Sequence, residues 1–193
     1  MDLNEFEQSP AYLLPATTAV FRIQCSKPRP GTRRVGKLRL APPGLMRGRF
    51  DLHDDLVGYF AMQPCTAAYE ALARREKMWL SLAEVAKREL LCMRADAEIK
   101  LLDLRPHASS RPVLQSLRFG FTQDLAKQAA AAGYQGIIYL SAQQHGMECL
   151  AIFGAALKLM RFEWAEDLVS PETGALHKVV GEVCEGACLS LMP

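Results

Sequence analysis

The chain has 193 residues, 50% of them apolar, which is enough to fill a sizeable core and too many for a disordered segment. Its 23 basic and 21 acidic residues leave a formal charge of +2, so no global field marks nucleic acid or a membrane surface as a direct partner. The Met1–Glu5 start is acidic where an export signal needs a basic start, and the longest uncharged apolar stretch, 149–157, is about half of the ~18 residues of a membrane span, so a soluble cytoplasmic protein is expected.

In chain order, Ala19 to Ile23 alternates as a short strand. Lys27 to Arg49 follows with eight basic residues, no acidic ones and interleaved Pro and Gly, and reads as a cationic loop. Gly58 to Met62 reads as a strand. Thr66 to Met78, rich in Ala, Leu, Glu and Arg, reads as a helix. Ser81-Leu82-Ala83-Glu84 has the spacing of a capping box, which predicts a further helical turn.

Leu90–Met93 and Ile99–Leu104 read as strands, with a hairpin around Arg94–Ala97. Thr122 suits an N-cap for a helix over 123–132, which Gly133 can end in a left-handed conformation. Ile137–Leu140 and Leu150–Phe153 read as buried strands joined by the polar loop 141–148, so Ser141 stands where a strand enters a loop. A strand over Leu159–Trp164 and a turn at Ser170–Gly174 complete the readable pattern, and the last twenty residues are uninformative. With no repeat and no linker, the default is a single mixed α+β domain over 1–193.

The six cysteines lie far apart except for Cys184 and Cys188, without C-x-x-C pairs or histidines at zinc-ligand spacing, so reduced, mostly buried thiols and no metal site are expected. The four histidines are scattered, and Trp79 and Trp164 read as packing residues. Walker, dinucleotide-binding, nucleophile-elbow and zincin motifs are all lacking. What remains is a set of polar residues near strand ends: Arg49, Tyr59, Glu70 and Ser141. Taken singly, each has an ordinary alternative: a loop arginine, a core tyrosine, a solvated helix acid and a strand-end serine.

Taken together they carry a likeness. Gly48-Arg49-Phe50-Asp51, Tyr59-Phe60-Ala61, Thr66-Ala67-Ala68-Tyr69-Glu70-Ala71-Leu72 and Gly133 to Ser141 stand in the order and context of the RES domain, which the chain resembles from about residue 20 to 153, with 154–193 as an extension of the same domain. Where that family's pattern has asparagine before its late strand, this chain has Cys149 with Glu148 beside it. The resemblance implies an ADP-ribosyltransferase-like central sheet flanked by helices, and a toxin that breaks NAD by phosphorolysis or hydrolysis under the control of an Xre-like antitoxin. NAD would be the substrate and inorganic phosphate an optional co-substrate, with no resident cofactor.

Splitting the nicotinamide N-glycosidic bond builds positive charge on the ribose, and a carboxylate set against the sugar stabilises it. Glu70 is the candidate for that role. Arg49, with Arg47 as fallback, offers a planar fork for pyrophosphate or phosphate, and Arg22 matches the family's aromatic-Arg-Ile strand. Tyr59 suits stacking on nicotinamide or bonding a ribose hydroxyl, and Ser141 suits bonding a ribose or phosphate oxygen, having no histidine base beside it. Transfer of ADP-ribose to a macromolecule, a noncatalytic basic-loop binding module and self-association all stay open.

Overall fold

A computed structural model describes residues 2–6, 11–73 and 78–193. Its centre is an eight-stranded sheet. The strands are β1 (Tyr12–Leu14), β2 (Ala19–Cys25), β5 (Val57–Ala61), β7 (Arg88–Ala95), β8 (Ile99–Asp103), β9 (Gly136–Leu140), β10 (Glu148–Phe153) and β11 (Met160–Asp167). They lie in the order β1-β8-β9-β10-β5-β2-β7-β11. Neighbours are antiparallel except β8 and β9, whose parallel pairing requires a crossover that α3 (Phe119–Ala131) supplies.

One short link reveals the shape of this sheet. Residues 96–98 join β7 to β8, five strand positions apart in the sheet order. Laid flat, five spacings are roughly 24 Å, whereas the chain from Ala95 to Ile99 reaches about 14 Å at most. The sheet therefore curls back on itself. The hairpin expected around Arg94–Ala97 does not form, because β7 instead pairs along its length with β2 and β11.

The curl gives the sheet two buried faces. Val20, Leu91, Met93, Leu101, Ile138, Leu150 and Ile152 fill the inside. Ile23, Leu90, Ile137, Ala151 and Tyr139 face the helices α1 (Pro64–Leu72), α3 and α4 (Lys178–Gly186). Adjacent residues such as Ile137 and Ile138 point to opposite faces, which is why these strands are apolar throughout rather than alternating.

The inside of the curl is closed partly by a hairpin that the sequence does not announce. Within the expected cationic loop, β3 (Arg33–Val35) pairs antiparallel with β4 (Leu38–Leu40). Leu38 and Leu40 are buried while Arg39 between them turns aside to Glu89 and the Cys25 carbonyl, so basic residues mask a three-residue alternation. The helix expected over 66–78 is α1, which starts two residues earlier with Pro64 in its first turn and ends at Leu72; residues 74–77 of that expectation lie outside the described residues. After Met78, a short strand β6 (Trp79–Ser81) runs into the helical turn α2 (Leu82–Val85). The turn expected at Ser81–Glu84 is present, but Ser81 makes no side-chain cap.

The C-terminal residues belong to the core. In α4, Val179, Val180 and Val183 are buried against α1 and the sheet, each contributing about 1.5–3 kcal/mol of apolar burial. The cap of α4 is His177, whose ring accepts from the Val179 N–H at 3.3 Å, an unusual residue for that position and one that leaves no sequence signal. The chain then ends in β12 (Ser190–Met192), parallel to β6. Trp79 does not pack as expected, being 58% exposed, whereas Trp164, 38% exposed, packs its ring on Phe21 at 6.1 Å. Trp79 borders a surface concavity of about 540 Å³ with Met78, Ser190 and Met192. The cysteines are free, with Cys92 and Cys149 buried and Cys188 exposed. Among the described residues, no helix is long and apolar enough to cross a membrane, and no cluster of His, Cys, Asp or Glu is placed to hold a metal.

Candidate active site

Glu70 lies in the last turn of α1 and Ser141 immediately follows β9. The serine hydroxyl donates to Glu70 Oε1 at 2.5 Å, and the Ala142 N–H donates to the same oxygen at 3.1 Å. The hydroxyl oxygen accepts the N–H groups of Gln143 and Gln144 at 3.1 and 2.9 Å, which folds the loop into a tight turn around it. With its proton committed to a carboxylate and its oxygen to two amides, Ser141 is a fixed donor for Glu70. None of these partners is a histidine, so the serine has no base to make it a nucleophile.

Arg49 reaches the same neighbourhood from the loop before β5. Its guanidinium carbon stands 5.8 Å from the centroid of the Tyr139 ring, and Nη2 lies 3.5 Å from the Gln115 carbonyl. Its Nε is buried without a hydrogen-bond partner among the described residues. Phe50, fully buried beside it, packs on the other side of this group with its ring 4.8 Å from that of Tyr139.

Tyr139 and Cys149, paired across β9 and β10, form the floor of this cluster. Burial pushes the Tyr139 hydroxyl well above the ordinary phenol range, with neighbouring Cys149 and the Glu70 carboxylate acting in the same direction and Arg49 opposing them. The Cys149 thiol is raised by burial and by Glu70, against Arg49 and a hydrogen bond with Ser141. Both groups are therefore neutral. Arg49, Glu70 and Ser141 surround this neutral floor, so the three residues singled out in the sequence are brought together.

Arg22 and Tyr59 sit on an adjoining side. β2 and β5 share a single paired position, Phe21 with Ala61, and the strands part beyond it. Arg22 bridges the parting: Nη1 donates to the Tyr59 carbonyl at 2.9 Å and Nη2 to the Arg39 carbonyl at 3.3 Å, while Nε is buried and unpartnered among the described residues. Burial lowers its pKa, opposed by the nearby tyrosines. A cleft of about 180 Å³ opens there, bordered by Arg22, Arg47, Gly48, Asp51 and Tyr59. Ligand pockets commonly measure roughly 300–1,000 Å³, so this cleft is small beside them. The Tyr59 hydroxyl does not point freely into it, because it donates to Asp51 Oδ1 and accepts from the Phe50 N–H, both at 2.8 Å.

Comparison with known proteins decides the family. The RES domain family model matches residues 19–168. The chain belongs to the RES domain family. The match stops before α4, although that helix packs on the α1 of this RES domain. No curated protein matches the chain in sequence. Among solved structures, the crystal structure of the M. tuberculosis MbcT–MbcA toxin–antitoxin complex contains a chain that superposes with a TM-score of 0.58 at 13% identity, covering 86% of this chain and 91% of that one. That similarity is one of fold.

Three residues around the RES site had no place in the site assigned from sequence. Tyr139 stands two residues before Ser141 on the same strand face, a spacing that could have placed it under the site. Thr122 is not the N-cap expected of it. The helix begins earlier, at Phe119, and the Thr122 hydroxyl inside it donates to the Arg49 carbonyl at 2.5 Å. Arg105 clamps the far end of the serine loop by bridging its near neighbour Asp103 at 2.7 Å and Glu148 at 2.5 Å, and the second of these contacts, between residues 43 positions apart, is one that no local pattern encodes.

Proposed function

We propose that this RES domain is the toxin of a toxin–antitoxin pair and that it destroys NAD by breaking the nicotinamide N-glycosidic bond. The ring nitrogen of nicotinamide is cationic in NAD, so the base departs neutral with the bonding electron pair and leaves positive charge on the ribose. The Glu70 carboxylate stabilises that charge electrostatically. A phosphate or water oxygen then forms the new bond to the anomeric carbon; water gives up a proton to solvent in doing so. Arg49 and Arg22 hold the pyrophosphate, whose oxygens suit the guanidinium fork better than an ammonium.

The observation that carries this reading is the fixing of Glu70 by the Ser141 hydroxyl and the Ala142 amide on one oxygen, Oε1. A carboxylate that stabilises a transient cation gains from being already oriented, since no reorganisation is needed when the charge appears. The partner is an antitoxin, expected to be Xre-like; it covers the cleft in the cytoplasm of the producing cell. The fold shared with the MbcT–MbcA toxin–antitoxin complex supports a pairing of this kind.

The test is incubation of the purified protein with NAD, with and without inorganic phosphate. Nicotinamide release with free ADP-ribose indicates hydrolysis, and release of a phosphorylated ADP-ribose only when phosphate is present indicates phosphorolysis. Label from NAD left on protein or nucleic acid would replace the proposal with macromolecular ADP-ribosylation, and unconsumed NAD would remove it.

A further inference from the structure

Resting on that reading of the site, we infer that Asp51 is a positioning residue for Arg49 and that it acts through the Tyr59 hydroxyl. The Arg49 side chain is held only loosely by its own contacts, a ring face at 5.8 Å and a carbonyl at the 3.5 Å limit. Its aim is therefore set by its backbone. That backbone is tied on both flanks.

On one flank, Asp51 uses both carboxylate oxygens. Oδ2 accepts the Gly48 N–H at 2.7 Å, and Oδ1 accepts the Tyr59 hydroxyl at 2.8 Å, which in turn accepts the Phe50 N–H. On the other flank, α3 contributes Thr122, donating to the Arg49 carbonyl, and Gln123, whose Nε2 donates to the Gly48 carbonyl at 2.8 Å. The residues immediately before and after Arg49 both lead back to one part-buried phenol–carboxylate pair.

The same pair explains the glycine. A Cβ at residue 48 would collide with the Asp51 carboxylate and lie 2.5 Å from the Tyr59 hydroxyl, so the hub occupies the space a side chain would need. Tyr59, placed among substrate contacts on sequence grounds, borders the cleft but has its hydroxyl spent on Asp51 and the Phe50 N–H. Burial and the facing carboxylate hold that phenol neutral, as a donor to Asp51 must be.

Proton exchange at Arg49 Nε and a double-mutant cycle test the inference together. In a 15N-labelled sample, the Arg49 Nε–H signal, assigned by its loss in Arg49→Lys, should exchange about tenfold faster in Asp51→Ala and Tyr59→Phe. In Asp51→Asn it should stay within about twofold of wild type, because the amide oxygen still accepts from Gly48 and its NH2 can donate to the Tyr59 oxygen. For NAD turnover, Asp51→Ala should lower kcat/KM about tenfold in the wild-type background and less than about twofold when Arg49 is already alanine. Unchanged Nε–H exchange in Asp51→Ala, or a full repeat of its loss on top of Arg49→Ala, would overturn the inference. If Asp51→Ala fails to fold, Tyr59→Phe makes the same comparison with the buried ring kept. A wild-type protein that leaves NAD intact would sink the NAD reading alone, since the exchange measurement needs no substrate.

Discussion

The Ser141 hydroxyl and the Glu70 carboxylate, 71 positions apart in the chain, meet at 2.5 Å and are joined by a hydrogen bond to a charged acceptor. The serine that ends a sheet strand thereby fixes the acid that ends a helix. Its contribution is orientation, because the oxygen is saturated by two amides from its own loop.

Ser141→Ala removes a donor to Glu70 and strands two loop amides at once. Activity on NAD is expected to fall about 10–100-fold, and thermal or urea denaturation should show a loss of about 1–3 kcal/mol. A variant with wild-type turnover would make the bond incidental to catalysis.

Glu70→Gln keeps an oxygen able to accept from Ser141 and Ala142 while removing the negative charge. The expected result is a well-folded protein, shown by an unchanged melting transition, with NAD turnover reduced by about a thousandfold or more. Near-normal NAD loss would take Glu70 out of the mechanism.

Tyr139 presents its ring face to the Arg49 guanidinium. Tyr139→Leu, which removes that face, should raise the KM for NAD by a factor of about 3–30, and Tyr139→Phe, which keeps it, should change KM far less. Equal KM values for the two variants would mean that the ring does not help hold Arg49.

Cys65 on α1 gives a signature at high pH. Burial and a hydrogen bond with Glu182 push its thiol up to about 11. The unfolded chain ionises at the lower, ordinary thiol pKa, so the native state holds more protons in the interval between the two. Its stabilising contribution is then complete below about pH 8.5 and is lost as pH rises to about 11. Urea midpoints measured from pH 8 to 11 should fall less steeply for Cys65→Ser than for wild type; parallel profiles would assign the alkaline loss to other groups.

Val180 is fully buried on α4, beyond the segment that matches the family. Val180→Ala should lower stability by about 1–3 kcal/mol in urea denaturation, through lost burial and the cavity left behind. A change below about 0.5 kcal/mol would show that the helix is docked only loosely on α1.

The strands β9 and β10 were legible in the sequence because burial on two faces makes a continuous apolar run, β2 because its apolar positions alternate, and Gly133, with φ of +81°, marks the end of α3 as read. The four RES fragments were legible because each joins a special residue to a local element. Local pattern could not reveal how the elements pair. Two clear strands around Arg94–Ala97 suggested a hairpin, but each pairs with other strands, five positions apart in the sheet order. A run of arginines concealed β3 and β4, since the buried Leu38 and Leu40 are too few to register as a period. Thr122 has the chemistry of a cap, yet its hydroxyl is claimed by a carbonyl distant in sequence. Composition and periodicity therefore determined which segments become strands and helices and which residue types can do chemistry, because those depend on near neighbours. Tertiary structure alone decided that Glu70 meets Ser141, that Arg49 rests over Tyr139 and that Asp51 with Tyr59 sets the Arg49 turn, because those contacts exist only once the curled sheet brings distant chain segments within hydrogen-bond reach.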